Sequence, residues 1–516
     1  MSRTDVATQP RPEAPPTMGS ARPRWGLLLA VGVVVSLAAA APFIPYASDI
    51  AWQSFVADRL LAGERLYVDI GAGDVHPPLY TWIATLVASL GRGVGAPTPA
   101  LLLGLTALAA LASTWVSHRW AEERDGLGLL AFGVATLAPF AGYFAGGEHW
   151  TAVALLPHLV ATARAAAGRP LKRRSALAAA AAAAVGIALK PNFLLVWLAT
   201  EAYLAWRRRS RRSLVRAENR LMIVLWLLYV AATAWITPEF YTTALWAADL
   251  YRDFAARPLA SLLTSKATLF VLACAMGVLV LGRRRERNDL ALVLLLAAVA
   301  MWAAAVSQMK GWAYHWMPAT GLAAAALLAA VPAGARRWAV APAAALALGW
   351  FALNVYRLEL TYRLGEAVLP PMREVVERLA PRQPILVLSN QLVVGFPLVN
   401  LTGAEWSSPY GHIWMAGPLH REERRSGAPY RYRGPAEWSP VEHAVFDGLW
   451  RGVQRRPPAL VILDFGRPNG LDLVAFFTAD PRLRRLLDGF RPAAQVGRYL
   501  VLERAEVRAG AGTATD

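Results

Sequence analysis

YASDIAWQ, at residues 46–53, opens a long polar segment that runs on to VHPPLY at residues 75–80. The segment follows an apolar run of membrane-spanning length, so Asp49 lies just beyond a predicted membrane helix. Asp49 and Gln53 share one helical face, and Trp52 lies on another with its apolar neighbours, which predicts an amphipathic helix at a membrane surface. Four more acids precede the next long apolar stretch: Asp58, Glu64, Asp69 and Asp74. Because a loop that only joins two helices does not need this length and chemistry, we predict that it forms half of an active site.

Composition indicates a polytopic membrane protein. Of the 516 residues, 56% are apolar and 20 are tryptophan, and apolar runs of roughly 15–20 residues recur along the chain. The single cysteine, Cys274, lies inside such a run, which excludes a disulfide framework and a cysteine metal site. A net charge of +18 would suggest a nucleic-acid partner in a soluble protein. Here the basic residues cluster between apolar segments, where they set membrane orientation instead, so we predict no nucleic-acid partner.

The basic clusters predict the topology of the chain, because such clusters mark the cytoplasmic side of a membrane. They lie at residues 164–174, 207–216, 283–287 and 336–337. If every basic cluster lies in the cytoplasm, Glu148, Lys190 and Lys310 lie on the outer face of the membrane. Three apolar segments lie between Asp49 and Glu148. Because both residues are predicted on the outer face, the number of crossings between them is even, so one of the three does not cross the membrane. We predict that residues 79–91, the shortest candidate, form a second surface helix, which leaves about eleven crossings.

The chain divides into four predicted parts. They are a disordered cytoplasmic N-terminus at 1–24, a membrane domain at 25–356 with its first outer loop at 45–97, an extracytoplasmic α/β domain at 357–508 and a disordered tail at 509–516. The apolar run from Leu27 also has features of a signal peptide, although its length favours a retained helix. In the C-terminal part, helical patterns alternate with apolar runs that predict buried strands at 385–388, 460–463 and 499–502.

Ionisable residues from separate loops are predicted to meet at the outer face. They are Asp49, His76, Glu148, His149, Lys190, Lys310 and His315. Carboxylates together with Lys and His suit a transfer with an anionic leaving group, because an acid can deprotonate an acceptor hydroxyl while cations neutralise a departing phosphate. A donor that reaches such a site from within the bilayer is a lipid-linked phosphate. The residues therefore predict transfer of a glycosyl or similar group from a lipid phosphate.

Several stretches resemble the GT-C glycosyltransferases. They are LAGERLYVD at 61–69, HPPL at 76–79, GGEH at 146–149, LKPNF at 189–193 and KGWAYH at 310–315. Together with an acid just after the first membrane helix, they are similar to the family 39 and family 83 type. This type includes protein O-mannosyltransferases, the lipid A aminoarabinose transferase and lipopolysaccharide-core galacturonosyltransferases. The resemblance covers most of residues 25–355.

The resemblance implies an all-α polytopic membrane bundle followed by a small α/β domain, in the bacterial inner membrane. It implies inverting transfer of a sugar from a polyprenyl-phosphate donor to an envelope glycan, lipid or protein. Asp49 would be the base, with Glu148 as the second catalytic acid. The residues that would contact substrate or phosphate are His76, Lys190, Lys310 and His315. Ile50 stands where many relatives have a second acid, so the use of a divalent metal stays open, as do the sugar and the acceptor.

A transporter or flippase for a lipid-linked or anionic substrate is the alternative from another class. Transporters tend to keep ionisable residues near the bilayer midplane and to be built from repeats. In this sequence the ionisable residues map mainly to the interfaces, and a soluble domain follows the last apolar segment. Both features favour the enzyme.

Overall fold

The computed structural model describes residues 48–121, 126–137, 143–282, 288–331 and 368–505, with residue 31 and short helical pieces between 341 and 353. The predicted first membrane helix, most of the apolar segment at 338–355 and the basic clusters at 283–287 and 336–337 lie outside these residues. So do the two ends of the chain that we predict to be disordered.

The first part of the described chain is helical. Its helices are α1 Ser48–Leu61, α2 Leu79–Val94, α3 Thr98–Ala121, α4 Gly126–Thr136, α5 Gly147–Ala166, α6 Arg173–Leu189, α7 Leu194–Arg207, α8 Ala217–Ile236, α9 Glu239–Asp253, α10 Leu259–Leu263, α11 Lys266–Gly282, α12 Asp289–Ser307 and α13 Ala313–Ala330. Small residues let these helices approach closely. A Cβ on Gly186 of α6 would lie 2.9 Å from the Cβ of Ala154 on α5. Such close backbone approach is typical of helices packed in a membrane.

Among the described residues, three helices are long and apolar enough to cross a bilayer: α3, α8 and α12. The other helices of the bundle are shorter or more polar, and many are buried among their neighbours. The predicted helical bundle is therefore present, while the number of about eleven crossings remains a prediction.

Two hydrogen bonds between α3 and α5 show that these two helices run in the same direction. Ser113 of α3 donates a hydrogen bond to the carbonyl of Val153 on α5 at 2.7 Å, and Arg164 of α5 reaches the carbonyl of Trp120 at 2.8 Å. From the first contact to the second, the residue number increases on both helices, so α3 and α5 run parallel. Glu148 and the start of α3 therefore lie at the same end of the bundle. A surface position for α2 is consistent with this arrangement.

Helix α2 also contacts α1 near both of its ends. Thr81 donates to Gln53 Oε1 at 2.7 Å, and Arg92 donates to the carbonyl of Asp58 at 3.1 Å. Because α1 packs against the C-terminal domain, a helix that stays beside α1 over most of its length stays at that end of the bundle. These contacts support our proposal that α2 is a surface helix.

This proposal predicts the side on which α3 ends. In a Cys274→Ser background, a cysteine introduced as Ala121→Cys is expected to resist an impermeant thiol reagent in intact cells, because it would face the cytoplasm. A cysteine introduced as Arg65→Cys in the first outer loop is the matched control and is expected to be labelled, since the Arg65 side chain is 68% exposed. Ready labelling at position 121 would overturn the assignment and place α3 in the opposite direction.

The C-terminal part is a small α/β domain. Its helices are α14 Leu369–Leu379, α15 Leu392–Gly395, α16 Leu398–Thr402, α17 Ala416–Leu419, α18 Arg421–Ser426, α19 Pro440–Arg455, α20 Leu473–Thr478 and α21 Pro481–Asp488. Its strands are β1 Pro384–Leu388, β2 Glu405–Trp406, β3 Leu460–Asp464, β4 Phe490–Val496 and β5 Tyr499–Arg504. They form one sheet in the order β2-β1-β3-β5-β4, in which β1 is parallel to β2 and β3, and β5 is antiparallel to β3 and β4. The three predicted strands are β1, β3 and β5.

Helix α1 does not lie with one face in the membrane and the other in water, as its amphipathic pattern predicts. Trp52 packs edge-on against Phe396 of the C-terminal domain, with ring centroids 4.9 Å apart, while Ile50 is buried in a second cluster with α2 and α3. The apolar face that we assigned to the membrane surface is covered by protein instead. Helix α1 is therefore held between the bundle and the C-terminal domain, and this fixes the position of Asp49.

An ion cluster around the buried Glu64 side chain ties the first outer loop to the C-terminal domain. The side chain of Glu64 is 3% exposed, and its Oε1 accepts hydrogen bonds from Arg59 Nε at 3.0 Å and from Arg456 Nη2. Arg455 Nη1 lies 2.9 Å from Asp69 Oδ1 in the same loop. Two arginines at the end of α19 thus bind two acids that follow α1. We call this set of five side chains the interdomain clamp.

Candidate active site

A cavity of about 660 Å³ lies between the helical bundle and the C-terminal domain. Four of the six predicted site residues line it: Asp49, His76, Glu148 and Lys190. They come from α1, the first outer loop, the start of α5 and the end of α6. The fold thus brings together groups that lie up to about 140 residues apart in sequence.

Asp49 lies in the first turn of α1. Its side chain is exposed to solvent in the cavity, which opens to one side. Burial raises the pKa of the Asp49 carboxyl above its usual range, and the negative charges of Glu148 and Asp74 add to this effect, while His76 and Lys190 oppose it. A carboxylate with a raised pKa is a stronger base, which suits the removal of a proton from a hydroxyl group.

Glu148 and Lys190 form an ion pair in the wall of the cavity. Lys190 Nζ lies 3.0 Å from Glu148 Oε1, and the two side chains are 17% and 7% exposed. His315 Nε2 lies behind the pair, 3.9 Å from the same oxygen. His315 itself does not line the cavity, so the structure places it against Glu148 rather than at the predicted phosphate site.

Gly147 leaves the space that the Lys190 side chain occupies. A Cβ at position 147 would lie 2.8 Å from Lys190 Cε, which is closer than real contacts allow. We expect Gly147→Ala to displace the ammonium while the fold survives, because the clash is with the far end of a flexible side chain. Activity is expected to fall by about 10²-fold, as for other small displacements of a functional group. Gly93→Ala is the control, since a Cβ there meets open space. It should keep full activity when the predicted transfer from a lipid-linked phosphate is measured for both variants.

His76 is oriented by Asp74. The Asp74 Oδ1 atom accepts hydrogen bonds from the backbone N–H of His76 at 2.9 Å and from its ring Nδ1 at 2.7 Å. Burial alone would raise the pKa of the Asp74 carboxyl, but the charge and hydrogen bonds of His76 lower it below its usual range. Asp74 therefore stays ionised and holds the Nδ1 edge of the ring, which leaves Nε2 for a ligand.

Lys310 does not reach the cavity. Its ammonium lies at the C-terminal end of α9, where it donates to the carbonyl of Tyr251, to that of Arg252 at 3.2 Å and to that of Phe254 at 2.6 Å. Burial lowers the pKa of this ammonium to about 8, with Asp253 opposing the shift. The last carbonyls of a helix have no partner within the helix, and a cation there also complements the helix dipole. The structure thus places Lys310 where it holds Tyr251 in the cavity wall.

Sequence reasoning missed several residues that line the cavity. Asp74 is one of the loop acids but was not singled out, although its position two residues before His76 is a usual spacing for a side chain that caps a turn. Tyr251 and Trp312 also line the cavity and pack edge-on with ring centroids 6.2 Å apart. Residues of the C-terminal domain complete the wall, and nothing local in the sequence connects them to Asp49.

A metal site is not formed by these side chains. Within the described ranges, no three His, Cys, Asp or Glu side chains are close enough together to hold a metal ion. Each acid has a basic partner instead, Glu148 the Lys190 ammonium and Asp74 the His76 imidazole.

Two crystal structures of ArnT from Cupriavidus metallidurans share this architecture. The structure bound to undecaprenyl phosphate aligns with a TM-score of 0.55 over 95% of this chain and 100% of that chain, at 14% identity. The apo structure aligns with a TM-score of 0.54 over 92% of this chain and 97% of that chain, at 13% identity. This chain has the ArnT fold. No family model matches the chain, and no curated protein does.

The shared fold confirms the predicted architecture, a helical bundle followed by a small α/β domain. Because the alignment with ArnT extends over nearly the whole chain, both parts of the cavity wall belong to the shared fold. The ArnT fold and the three long apolar helices together indicate an integral membrane protein.

Proposed function

We propose that the protein is a membrane glycosyltransferase of the GT-C type. It takes a sugar from a polyprenyl-phosphate donor and transfers it, with inversion, to an acceptor outside the cytoplasm, an envelope glycan, lipid or protein. Its place is the bacterial inner membrane, with the C-terminal domain on the outer side. The observation that carries the proposal is the Asp49 carboxylate, which has a raised pKa and faces a cavity that the Lys190 ammonium and the His76 imidazole also line.

The reaction follows from the residues of the cavity. Asp49 accepts the proton of an acceptor hydroxyl while that oxygen attacks the anomeric carbon of the sugar. The bond from this carbon to the phosphate oxygen breaks on the opposite face, and polyprenyl phosphate leaves with the electron pair. Attack from the opposite face inverts the anomeric configuration. The negative charge on the leaving phosphate is stabilised by nearby cations, as in other transfers with an anionic leaving group.

Lys190 and His76 are the two basic side chains that we assign to the phosphate. One Lys190 proton is directed to Glu148, and the ammonium has two more to donate. The Nε2 atom of His76 can contact the phosphate, because Nδ1 is hydrogen-bonded to Asp74. Glu148 would position Lys190 and the acceptor. The relation to ArnT, a protein whose structure was solved with undecaprenyl phosphate, supports a polyprenyl-phosphate donor for this chain as well.

Purified protein in proteoliposomes tests the proposal. The probe is a set of polyprenyl-phosphate sugars supplied with an envelope extract as acceptor, and the measurements are release of free polyprenyl phosphate and transfer of labelled sugar. We expect both signals for at least one donor, in equal amounts. Movement of intact lipid-linked sugar between leaflets, without release of polyprenyl phosphate, would refute the enzyme and establish the flippase.

A further inference from the structure

The C-terminal domain forms the wall of the cavity that faces the charged groups. The residues of this wall are Asn390 and Gln391 after β1, His412 and Trp414 between β2 and α17, Arg424 on α18 and Asn469 after β3. We call them the C-terminal wall. Strands β1 and β3 are parallel neighbours, so the loops at their carboxyl ends meet at one edge of the sheet. In open α/β sheets this edge is where ligands bind.

One buried carboxylate holds the loops of this wall in place. Asp464, at the end of β3, is fully buried and accepts hydrogen bonds from Ser389 Oγ at 2.7 Å, from the backbone N–H of Gly466 at 2.7 Å and from Arg498 at 3.0 Å. Ile413 donates its backbone N–H to the carbonyl of Ser389 at 2.9 Å, which ties the segment between β2 and α17 to the end of β1. The wall is therefore built before any ligand binds, as a selective site requires.

The wall differs from the opposite side of the cavity in its chemistry. Its amide side chains both donate and accept hydrogen bonds without a formal charge. Burial lowers the pKa of His412 to about 4, with Asp74 opposing, so its imidazole is neutral near pH 7. Trp414 adds an aromatic surface that packs edge-on against Tyr251, with centroids 5.5 Å apart. The one charged group, Arg424, donates to the carbonyl of Asp253 at 3.4 Å.

These groups match a ligand that carries many hydroxyls. A hydroxyl group donates one hydrogen bond and accepts two, and amide and imidazole groups together offer both donors and acceptors for these bonds. The apolar face of a sugar ring can pack on an aromatic side chain. A phosphate or carboxylate ligand would be served better by the opposite wall, which holds Lys190 and His76. The cavity thus offers one wall for the donor phosphate and another for a neutral polar acceptor.

We propose that the acceptor is a carbohydrate chain, which the C-terminal wall holds through Asn390, Gln391 and Asn469 so that one hydroxyl points to Asp49. The proposal rests on the transferase function above and adds the chemical class of its acceptor. Among the acceptors considered there, it selects an envelope glycan over a protein or a lipid.

Two substitutions test the wall without disturbing the fold. Gln391→Ala removes an exposed amide. Asn469→Gly removes the amide while keeping the left-handed backbone, since Asn469 has a φ of 52° that glycine adopts without strain. Gln495→Ala is the matched control, because Gln495 is an exposed amide on β4 that does not line the cavity.

The full chain in nanodiscs is applied to an array that carries neutral oligosaccharides, Ser/Thr-containing peptides and phosphorylated lipids. We expect binding to one or more oligosaccharides, at least tenfold weaker in the double variant Gln391→Ala/Asn469→Gly and unchanged in Gln495→Ala. Binding to peptides or phosphorylated lipids alone, equal binding by the wall variant, or no oligosaccharide binding would overturn the proposal. Oligosaccharide binding with no release of polyprenyl phosphate from any donor would instead refute the transferase and leave the carbohydrate wall intact.

Discussion

Asp49→Asn is expected to lower the rate of sugar transfer by about 10²–10⁴-fold, the range typical for loss of a general base. The amide keeps the shape of the side chain but does not accept the proton of the attacking hydroxyl. Helix α1 is packed on both sides, so the substitution leaves the position of the group unchanged. Transfer of labelled sugar in membranes with matched protein levels measures the effect.

Asp58→Asn is the control for this substitution. Asp58 lies on the same helix, but its side chain is 47% exposed and lies 3.8 Å from Arg92, away from the cavity. It should therefore keep nearly full activity. More than about a tenth of the activity in Asp49→Asn, outside the range for loss of a base, would move the role to Glu148.

The pH dependence of transfer gives a second measure of the same group. Asp49 acts as a base only when it is ionised, so activity falls as the pH drops through its pKa. Burial raises this pKa, and Glu148 raises it further. The acidic limb should therefore lie above the usual range of aspartate, about 3.9. In Glu148→Gln, whatever activity remains should have this limb at lower pH, because a nearby negative charge is lost.

The second large effect is expected at the interdomain clamp. Glu64→Gln removes a buried negative charge that Arg59 and Arg456 share, and leaves Arg456, among the described acids, only the longer contact with Glu405 at 3.7 Å. Removal of one partner from a buried ion pair costs about 3–5 kcal/mol. We expect a loss of this size in the free energy that holds the first outer loop to the C-terminal domain. Urea titration of the purified protein, followed by tryptophan fluorescence, measures it.

An exposed pair on α14 provides the control for the clamp. Glu377 accepts a hydrogen bond from Arg373 at 2.7 Å, but its side chain is 45% exposed. Glu377→Gln should change stability by less than about 1 kcal/mol, since water screens exposed pairs. Equal midpoints for Glu64→Gln and Glu377→Gln would show that the clamp does not hold the two parts together.

The fold was predictable where a pattern was local. Apolar runs located β1, β3 and β5, and the basic clusters placed Asp49, Glu148 and Lys190 on one side of the membrane, where the structure brings them to one cavity. Strand β4, Phe490–Val496, was missed because a proline and several polar residues interrupt its apolar pattern.

The limits of sequence reasoning appear where a side chain meets a distant partner. Lys310 has the chemistry of a phosphate ligand, but its nearest partners are carbonyls at the end of a helix 56–59 residues earlier. Trp52 is on an apolar face that fits a membrane surface as well as a protein core, and only the position of Phe396 decides between them. The C-terminal wall was missed for the same reason.

The interdomain clamp also has a consequence for how the protein is made. Glu64 and Arg456 are 392 positions apart, which corresponds to roughly 20–80 s of translation at ordinary rates. Throughout that time the nascent chain carries Asp49 in a loop whose final partners have not left the ribosome. The transferase we propose would therefore stay inactive until its last third has been synthesised and has crossed the membrane, so a chain that terminates early would not act on the lipid-linked sugar around it.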